Sequence, residues 1–140
     1  MMGYTIDEME LGQSASFSKT ITETDVYLFA GISGDLNPAH INEEFAKETM
    51  FKGRIAHGML GASLISTVLG MYLPGPGSIY MKQELKFLAP VRFGDTITAT
   101  CTLKEKIAEK NRVVLDCKVE NQDGTAVIEG EAMIMPPKKK

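Results

Sequence analysis

Between Gly58 and Tyr72 the chain carries no aspartate or glutamate, while Met59, Leu60, Leu64, Val68, Leu69 and Met71 recur at helical spacing. A helix with so little polar surface has to be covered on most of its sides. The residues that follow supply the cover. Ile79, Met81, Leu85 and Phe87 alternate, as do Ile97, Ala99, Cys101 and Leu103, then Val113, Leu115, Cys117 and Val119, then Ala126, Ile128, Ala132 and Ile134. Each set has period two, the mark of a strand with one buried face. A curved antiparallel sheet wrapped around the helix buries both apolar surfaces, so the expected class is α+β. Gly61 inside the helix costs up to ~1 kcal/mol against alanine, which predicts a close backbone approach to the sheet. Pro74-Gly75-Pro76-Gly77 ends the helix, and Lys110-Asn111 and Asp123-Gly124 supply turns between strands. Gln83 breaks the first alternation, marking either a residue that faces a ligand tunnel or a bulge.

The first half reads differently. Ala15 to Ile21 is a first strand. Thr22 is an N-cap with Asp25 three residues on, and Val26, Leu28, Phe29 and Ile32 form an apolar stripe on a helix ending at Ser33-Gly34. Asn42 caps a short helix through Glu43, Phe45 and Met50, and residues 51–54 form a loop. One domain over residues 1–135 is expected, which fits a chain of 140 residues, with 136–140 as a disordered, lysine-bearing tail.

Net charge of −3 argues against a nucleic-acid binder, which needs a basic face. No apolar run approaches the ~20 residues of a membrane span. The start lacks a basic leader followed by an apolar stretch, so a cytoplasmic protein is expected. Cys101 and Cys117 fall on apolar alternations and read as buried free thiols. Zinc-ligand spacing is absent.

Gly34-Asp35-Leu36-Asn37-Pro38-Ala39-His40 is the segment that carries chemistry. Spacings of three and four face each other on a helix, and the five between Asp35 and His40 does not. Pro38 fixes its own φ and pushes Asn37 out of the helical region, so the two side chains can aim at one volume from either flank of a bend. A carboxylate and an imidazole so placed suit proton transfer to or from a bound water. Asn37 is expected to support the loop by bonding its backbone. His57 is expected to serve structurally at the mouth of the long helix, with contact to the substrate as the alternative. The methionines read as core filler.

The run Phe29 to His40 resembles the hydratase-2 motif of the MaoC-like (R)-specific enoyl-CoA hydratases. Arg54-Ile55-Ala56-His57-Gly58-Met59-Leu60 and Phe87-Leu88-Ala89-Pro90-Val91-Arg92-Phe93-Gly94-Asp95 resemble that family too, in the same order. The resemblance implies a hotdog fold, a homodimer with its acyl-thioester site between subunits, and reversible syn hydration of a trans-2-enoyl-CoA to an (R)-3-hydroxyacyl-CoA. It implies that Asp35 and His40 are the catalytic pair, that the Gly58 N–H binds the thioester carbonyl, and that Ser66 lines the pocket. Asn37 and His57 are expected, from their own positions, to be supporting residues. No metal or organic cofactor is implied, coenzyme A being part of the substrate; an acyl carrier protein is an alternative carrier. Which of Asp35 and His40 acts as base stays open, because such a pair titrates as a unit.

Physical chemistry supports Gly58 independently. The first N–H groups of a helix lack partners, the helix dipole is positive there, and glycine admits a close approach. Lys52 and Arg54 are candidates for the phosphates of coenzyme A, against a plain solvated loop. Two other functions fit the fold. A hotdog thioesterase would need a carboxylate, usually on the long helix, and none is there. A non-catalytic acyl-thioester-binding subunit of a dehydratase complex would be expected to lack the Asp/His pair, and this chain has it.

Overall fold

The computed structural model describes residues 1–140. Strand β1 (Ser14–Thr20) leads into helix α1 (Glu23–Ser33), then two single turns, α2 (Pro38–Ile41) and α3 (Glu43–Ala46), and the long helix α4 (Gly58–Met71). Four strands follow: β2 (Ile79–Phe87), β3 (Thr96–Ile107), β4 (Arg112–Glu120) and β5 (Ala126–Met135). They form one five-stranded sheet in the order β1-β3-β4-β5-β2, every neighbouring pair antiparallel. α4 packs across β1, β3 and β4. No helix is long and apolar enough to cross a membrane.

The core lies between α4 and the inner face of the sheet. Leu64, Ile65, Val68 and Leu69 meet a layer that includes Ile97, Ala99, Leu103, Leu115, Val119 and Ile134, all buried. The period-two expectation therefore holds for β3 and β4 and for the inner residues of β5. The close approach at Gly61 is real: a Cβ there would stand 3.2 Å from Ile128 Cδ1 and 3.7 Å from Ile97 Cδ1. Cys101 and Cys117 are buried free thiols directly opposite each other on β3 and β4, Sγ to Sγ 3.8 Å.

Five expectations need correction. The methionines are not core filler as a set: Met9 is buried, while Met59, Met71 and Met81 are exposed. In α1 the buried residues are Val26 and Ala30, with Phe29 half-buried; Leu28 and Ile32 are exposed, because a two-sided stripe finds cover on only one side. The Asn42-capped helix stops at Ala46, well short of Met50. On β2 the alternation does not bury a face: Ile79, Met81 and Phe87 are exposed. The register shifts between Tyr80 and Lys82, so Met81 is the extra residue of a bulge, and Gln83 bonds the Glu131 carbonyl at 3.0 Å. The tail is tied down further than expected. Pro136 and Pro137 are buried, with the Pro136 carbonyl accepting from Asn111 Nδ2 at 2.9 Å, and only Lys138 to Lys140 are exposed.

β2 is held to β5 by an approach that only glycine permits. A Cβ on Gly130 would lie 1.8 Å from the Glu84 carbonyl oxygen, which is backbone and cannot yield. Gly130→Ala is therefore expected to lose about 3 kcal/mol or more in urea unfolding. Gly31→Ala in α1, where nothing stands within 4 Å of the new methyl, is expected to gain a fraction of that through helix propensity.

Candidate active site

The bend around Pro38 is built as a chain of caps. The Thr22–Asp25 capping box starts α1, and Gly34, at φ +79°, ends it in the left-handed conformation that glycine tolerates. Asp35 follows at once. Its amide donates to Ser33 Oγ at 3.1 Å, and its Oδ1 accepts the Asn37 amide at 3.2 Å. One carboxylate oxygen is thus engaged in an Asx turn, which fixes the direction of the group. Asn37 is the N-cap of α2, its Oδ1 accepting the Ala39 amide at 3.0 Å, with Pro38 at the first helical position. Asn37 thus bonds the backbone of the loop it sits in.

His40 lies on the one turn of α2, half-buried. Its Nδ1 stands 2.8 Å from the Ile55 carbonyl oxygen. A carbonyl only accepts, so Nδ1 carries a proton, and in the neutral ring Nε2 is the nitrogen with the free lone pair. His57, the residue before α4, reaches back from the other side. Its Nε2 lies 2.9 Å from the Asp35 carbonyl oxygen, and its ring stacks on that of His40 with centroids 3.9 Å apart. An Asp35 carboxylate oxygen, one His40 ring nitrogen and one His57 ring nitrogen lie within 4.8 Å of one another. That is close enough for a single water to bond two of them, each hydrogen bond spanning about 2.8 Å.

A carboxylate and two imidazoles are also metal-type donors. A single ion would need lone pairs converging in both ring planes. Here the planes run face to face with only 28° between them, and each ring gives one nitrogen to a backbone carbonyl. The geometry suits a water held by hydrogen bonds better than an ion.

Gly58 opens α4, so its N–H has no partner one turn back, and His57 offers no side-chain cap. An apolar cavity of about 350 Å³ lies beside it, walled by Met50, Phe51, Ile55, Phe87 and Val91. The Phe87 ring occupies the space a side chain on Gly58 would need, with Cδ1 and Cε1 at 2.8 and 2.9 Å from an ideal Cβ. Glycine here permits both the ring contact and access to the amide.

The structure does not gather every expected residue. Ser66 lies eight residues along α4 from Gly58, about 12 Å along the axis, on the exposed face shared with Met59 and Ser63. Arg54 is not available to a phosphate. Its Nη1 donates to Tyr27 Oη at 2.7 Å and lies 3.4 Å from Glu23 Oε1, its Nε lies 3.7 Å from Glu43 Oε2, and its guanidinium covers the Phe93 ring at 4.9 Å. It braces α1 to α3 beside the site. The Arg54 hydrogen bond holds the Glu23 carboxyl below its ordinary range. That contribution is present above the ordinary glutamate range and is lost as pH falls through the lowered value. Arg54→Leu is expected to lower the urea midpoint only slightly, because both carboxylates are half exposed. Lys52 stands exposed in the same loop, at φ +61°.

Two contributors lay beyond sequence reasoning. The Ile55 carbonyl is a backbone group and has no residue-type signal. Phe87 read as a core-facing strand residue, and only the fold brings it over Gly58.

A long helix held in a five-stranded antiparallel sheet, with a carboxylate and an imidazole brought together beside the helix N-terminus, is the architecture of the hotdog fold. The chain belongs to the family of the MaoC like domain, whose model matches residues 8–124. It is 57% identical over 133 residues to the (R)-specific enoyl-CoA hydratase of Rhodospirillum rubrum, covering 94% of this chain and 90% of that protein. It is 45% identical to the 3-hydroxybutyryl-CoA dehydratase of Methylorubrum extorquens, covering 95% and 84%. The R-hydratase from Pseudomonas aeruginosa in the unliganded form superposes with a TM-score of 0.92 at 45% identity, covering 99% of this chain and 88% of that one.

Proposed function

We propose that this chain is an (R)-specific enoyl-CoA hydratase, working in either direction as a hydro-lyase, with Asp35 and His40 holding the reacting water. The observation that carries the reading is the convergence of the Asp35 carboxylate and the His40 ring beside an unpartnered amide at the start of a helix. Hydration of an enoyl thioester needs a proton taken from water as it attacks C3, a proton delivered to C2, and stabilisation of the enolate oxygen between the two. With Nδ1–H donated to the Ile55 carbonyl, His40 Nε2 is an acceptor for one water proton, and the Asp35 carboxylate accepts the other. One of them takes the proton and the pair returns one to C2 from the same face, which gives syn addition. The Gly58 N–H, reinforced by the α4 dipole, faces the developing enolate. These groups meet the three requirements without a metal or an organic cofactor.

The acyl carrier in this reading is coenzyme A, as the names of the relatives imply for those proteins. The apolar cavity beside Gly58 takes an uncharged stretch of the thioester, and its volume lies at the small end of ordinary ligand pockets. We further propose a homodimer. β2 is an edge strand, paired with β5 on one side only, and Ile79, Tyr80, Met81, Phe87 and Leu88 leave an apolar margin along it that a second copy would cover. A role for Ser66 belongs to that assembly, since it sits on the open face of α4 in the single chain. The two adjacent free thiols fit a reducing compartment such as the cytoplasm.

The test is hydration of crotonyl-CoA, followed by loss of enoyl absorbance, with thiol release measured alongside by a disulfide dye. The expected result is loss of the enoyl band with no free thiol. Thiol release without hydration would identify a thioesterase instead. An inert pure chain that gains activity on mixing with a second hotdog subunit would identify a binding subunit.

A further inference from the structure

The proposed chemistry uses one histidine of two, and the one it leaves out is the more deeply placed. His57 is 2% exposed. Its Nε2 lies 2.9 Å from the Asp35 carbonyl oxygen, its face stacks on His40, and the Phe29 ring stands tilted against it with centroids 4.9 Å apart. Because a carbonyl only accepts, Nε2 carries the proton, and Nδ1 is left as a bare lone pair. That atom is buried and has no hydrogen-bond partner.

An unsatisfied buried acceptor lowers stability, so packing alone does not account for an imidazole here. A phenyl ring would fill the same slot between Phe29 and His40 without the orphaned nitrogen. What a phenyl ring lacks is the N–H to Asp35. That bond joins the loop carrying the carboxylate to the residue immediately before Gly58. The stacking contact joins the same residue to His40, whose other restraint is the single bond to Ile55. One side chain thus touches the main chain of Asp35, the ring of His40 and the start of α4.

We infer that His57 is a positioning residue for hydration: its Nε2–H and ring face hold Asp35 and His40 in register with the Gly58 amide. The inference rests on the reading that Asp35 and His40 share the reacting water. His57 touches neither water nor thioester in this scheme and acts through the two residues it holds. A misplacement near 1 Å of reacting groups can cost about a hundredfold in rate, so the effect falls on kcat and leaves substrate binding largely alone.

The glutamine carboxamide nitrogen is as many bonds from Cα as histidine Nε2, so His57→Gln keeps the donor and loses the ring. His57→Phe keeps the ring and loses the donor. The experiment measures kcat and KM for crotonyl-CoA in wild type, His57→Phe, His57→Gln and Asp35→Asn, with a thermal melt of each. His57→Phe is expected to lose roughly a hundredfold in kcat with KM changed by less than about threefold, and His57→Gln to recover about tenfold of that loss. A purely structural residue would move the melting temperature and leave kcat in place. In wild type, imidazole 15N NMR at mildly alkaline pH is expected to find His57 as the Nε2–H tautomer and His40 as the Nδ1–H tautomer. This second readout tests the donor geometry on which the inference stands even if a variant does not fold.

His57→Phe at full kcat, His57→Gln no better than His57→Phe, or an Nδ1–H tautomer at His57 would overturn the inference while an active wild type and an inactive Asp35→Asn upheld the hydratase. An inactive wild type, or full activity in Asp35→Asn, would overturn the hydratase reading and this inference with it.

Discussion

Asp35→Asn and His40→Ala should each yield a folded protein whose hydration of crotonyl-CoA is slower by at least about a hundredfold, the low end of what positioned acid–base groups contribute. The asparagine keeps an oxygen for the Asn37 amide, so the Asx turn survives and only the charge and proton affinity of the free oxygen are lost. The alanine removes Nε2 and leaves the Ile55 carbonyl without its partner, in a half-buried position that water can enter. The double variant should be little worse than either single one, because two groups gripping one water act as a unit. Steady-state rates on purified protein, with far-UV circular dichroism to confirm folding, measure this. Near wild-type rates in both single variants would remove the acid–base pair from the mechanism.

Gly58→Ala should lower kcat/KM by about a hundredfold or more while the fold persists. The new methyl would stand 2.8 Å and 2.9 Å from two Phe87 ring carbons, a separation real Cβ atoms do not adopt. Phe87 is about half exposed at the sheet edge, so the ring has room to swing away, and the stability cost stays modest. The cavity wall moves with it, and the methyl stands where the thioester has to approach the amide. Loss of one oxyanion donor costs about 3 kcal/mol, and displacement of the substrate from that donor should approach this. Gly61→Ala, three residues along the same helix, is the control. Its methyl meets only the movable tips of Ile128 and Ile97, so activity should stay within a few-fold of wild type.

The fold was largely legible because its main elements are written locally. The acid-free apolar run of α4, the Thr22–Asp25 box, the Gly34 cap and the alternation of β3 and β4 each depend on residues a few positions apart. The failures share a cause. Alternation along β2 marks an apolar strand, and nothing local distinguishes a face turned to the core from a face left at an edge, or reveals the bulge at Met81. The α1 stripe failed for the same reason, since Leu28 and Ile32 repeat at helical spacing without a partner on their side. Pro136 and Pro137 read as tail because what holds them is distant in sequence: Asn111, 25 residues away, bonds the Pro136 carbonyl, and Pro137 lies beside Gly77.

The candidate site divides along the same line. Asp35, Asn37 and His40 sit within one bend, and the proline that shapes it is visible in the sequence. His57 meets the Asp35 carbonyl across 22 residues, and His40 meets the Ile55 carbonyl across 15. Both acceptors are main-chain atoms, which no residue type announces. Arg54 misled in the opposite sense: an exposed-looking cation beside a candidate site was already held by Glu23, Tyr27 and Glu43 on elements that sequence separation hid.

The handedness of the product tests the account most directly. In the proposed mechanism, water held between Asp35 and His40 adds to one face of the double bond of a thioester bound at Gly58. Purified wild-type protein incubated with crotonyl-CoA, followed by hydrolysis of the thioester and chiral chromatography of the acid, should give the (R)-3-hydroxy product alone. An (S) or racemic product would contradict the assignment of those three residues to one site.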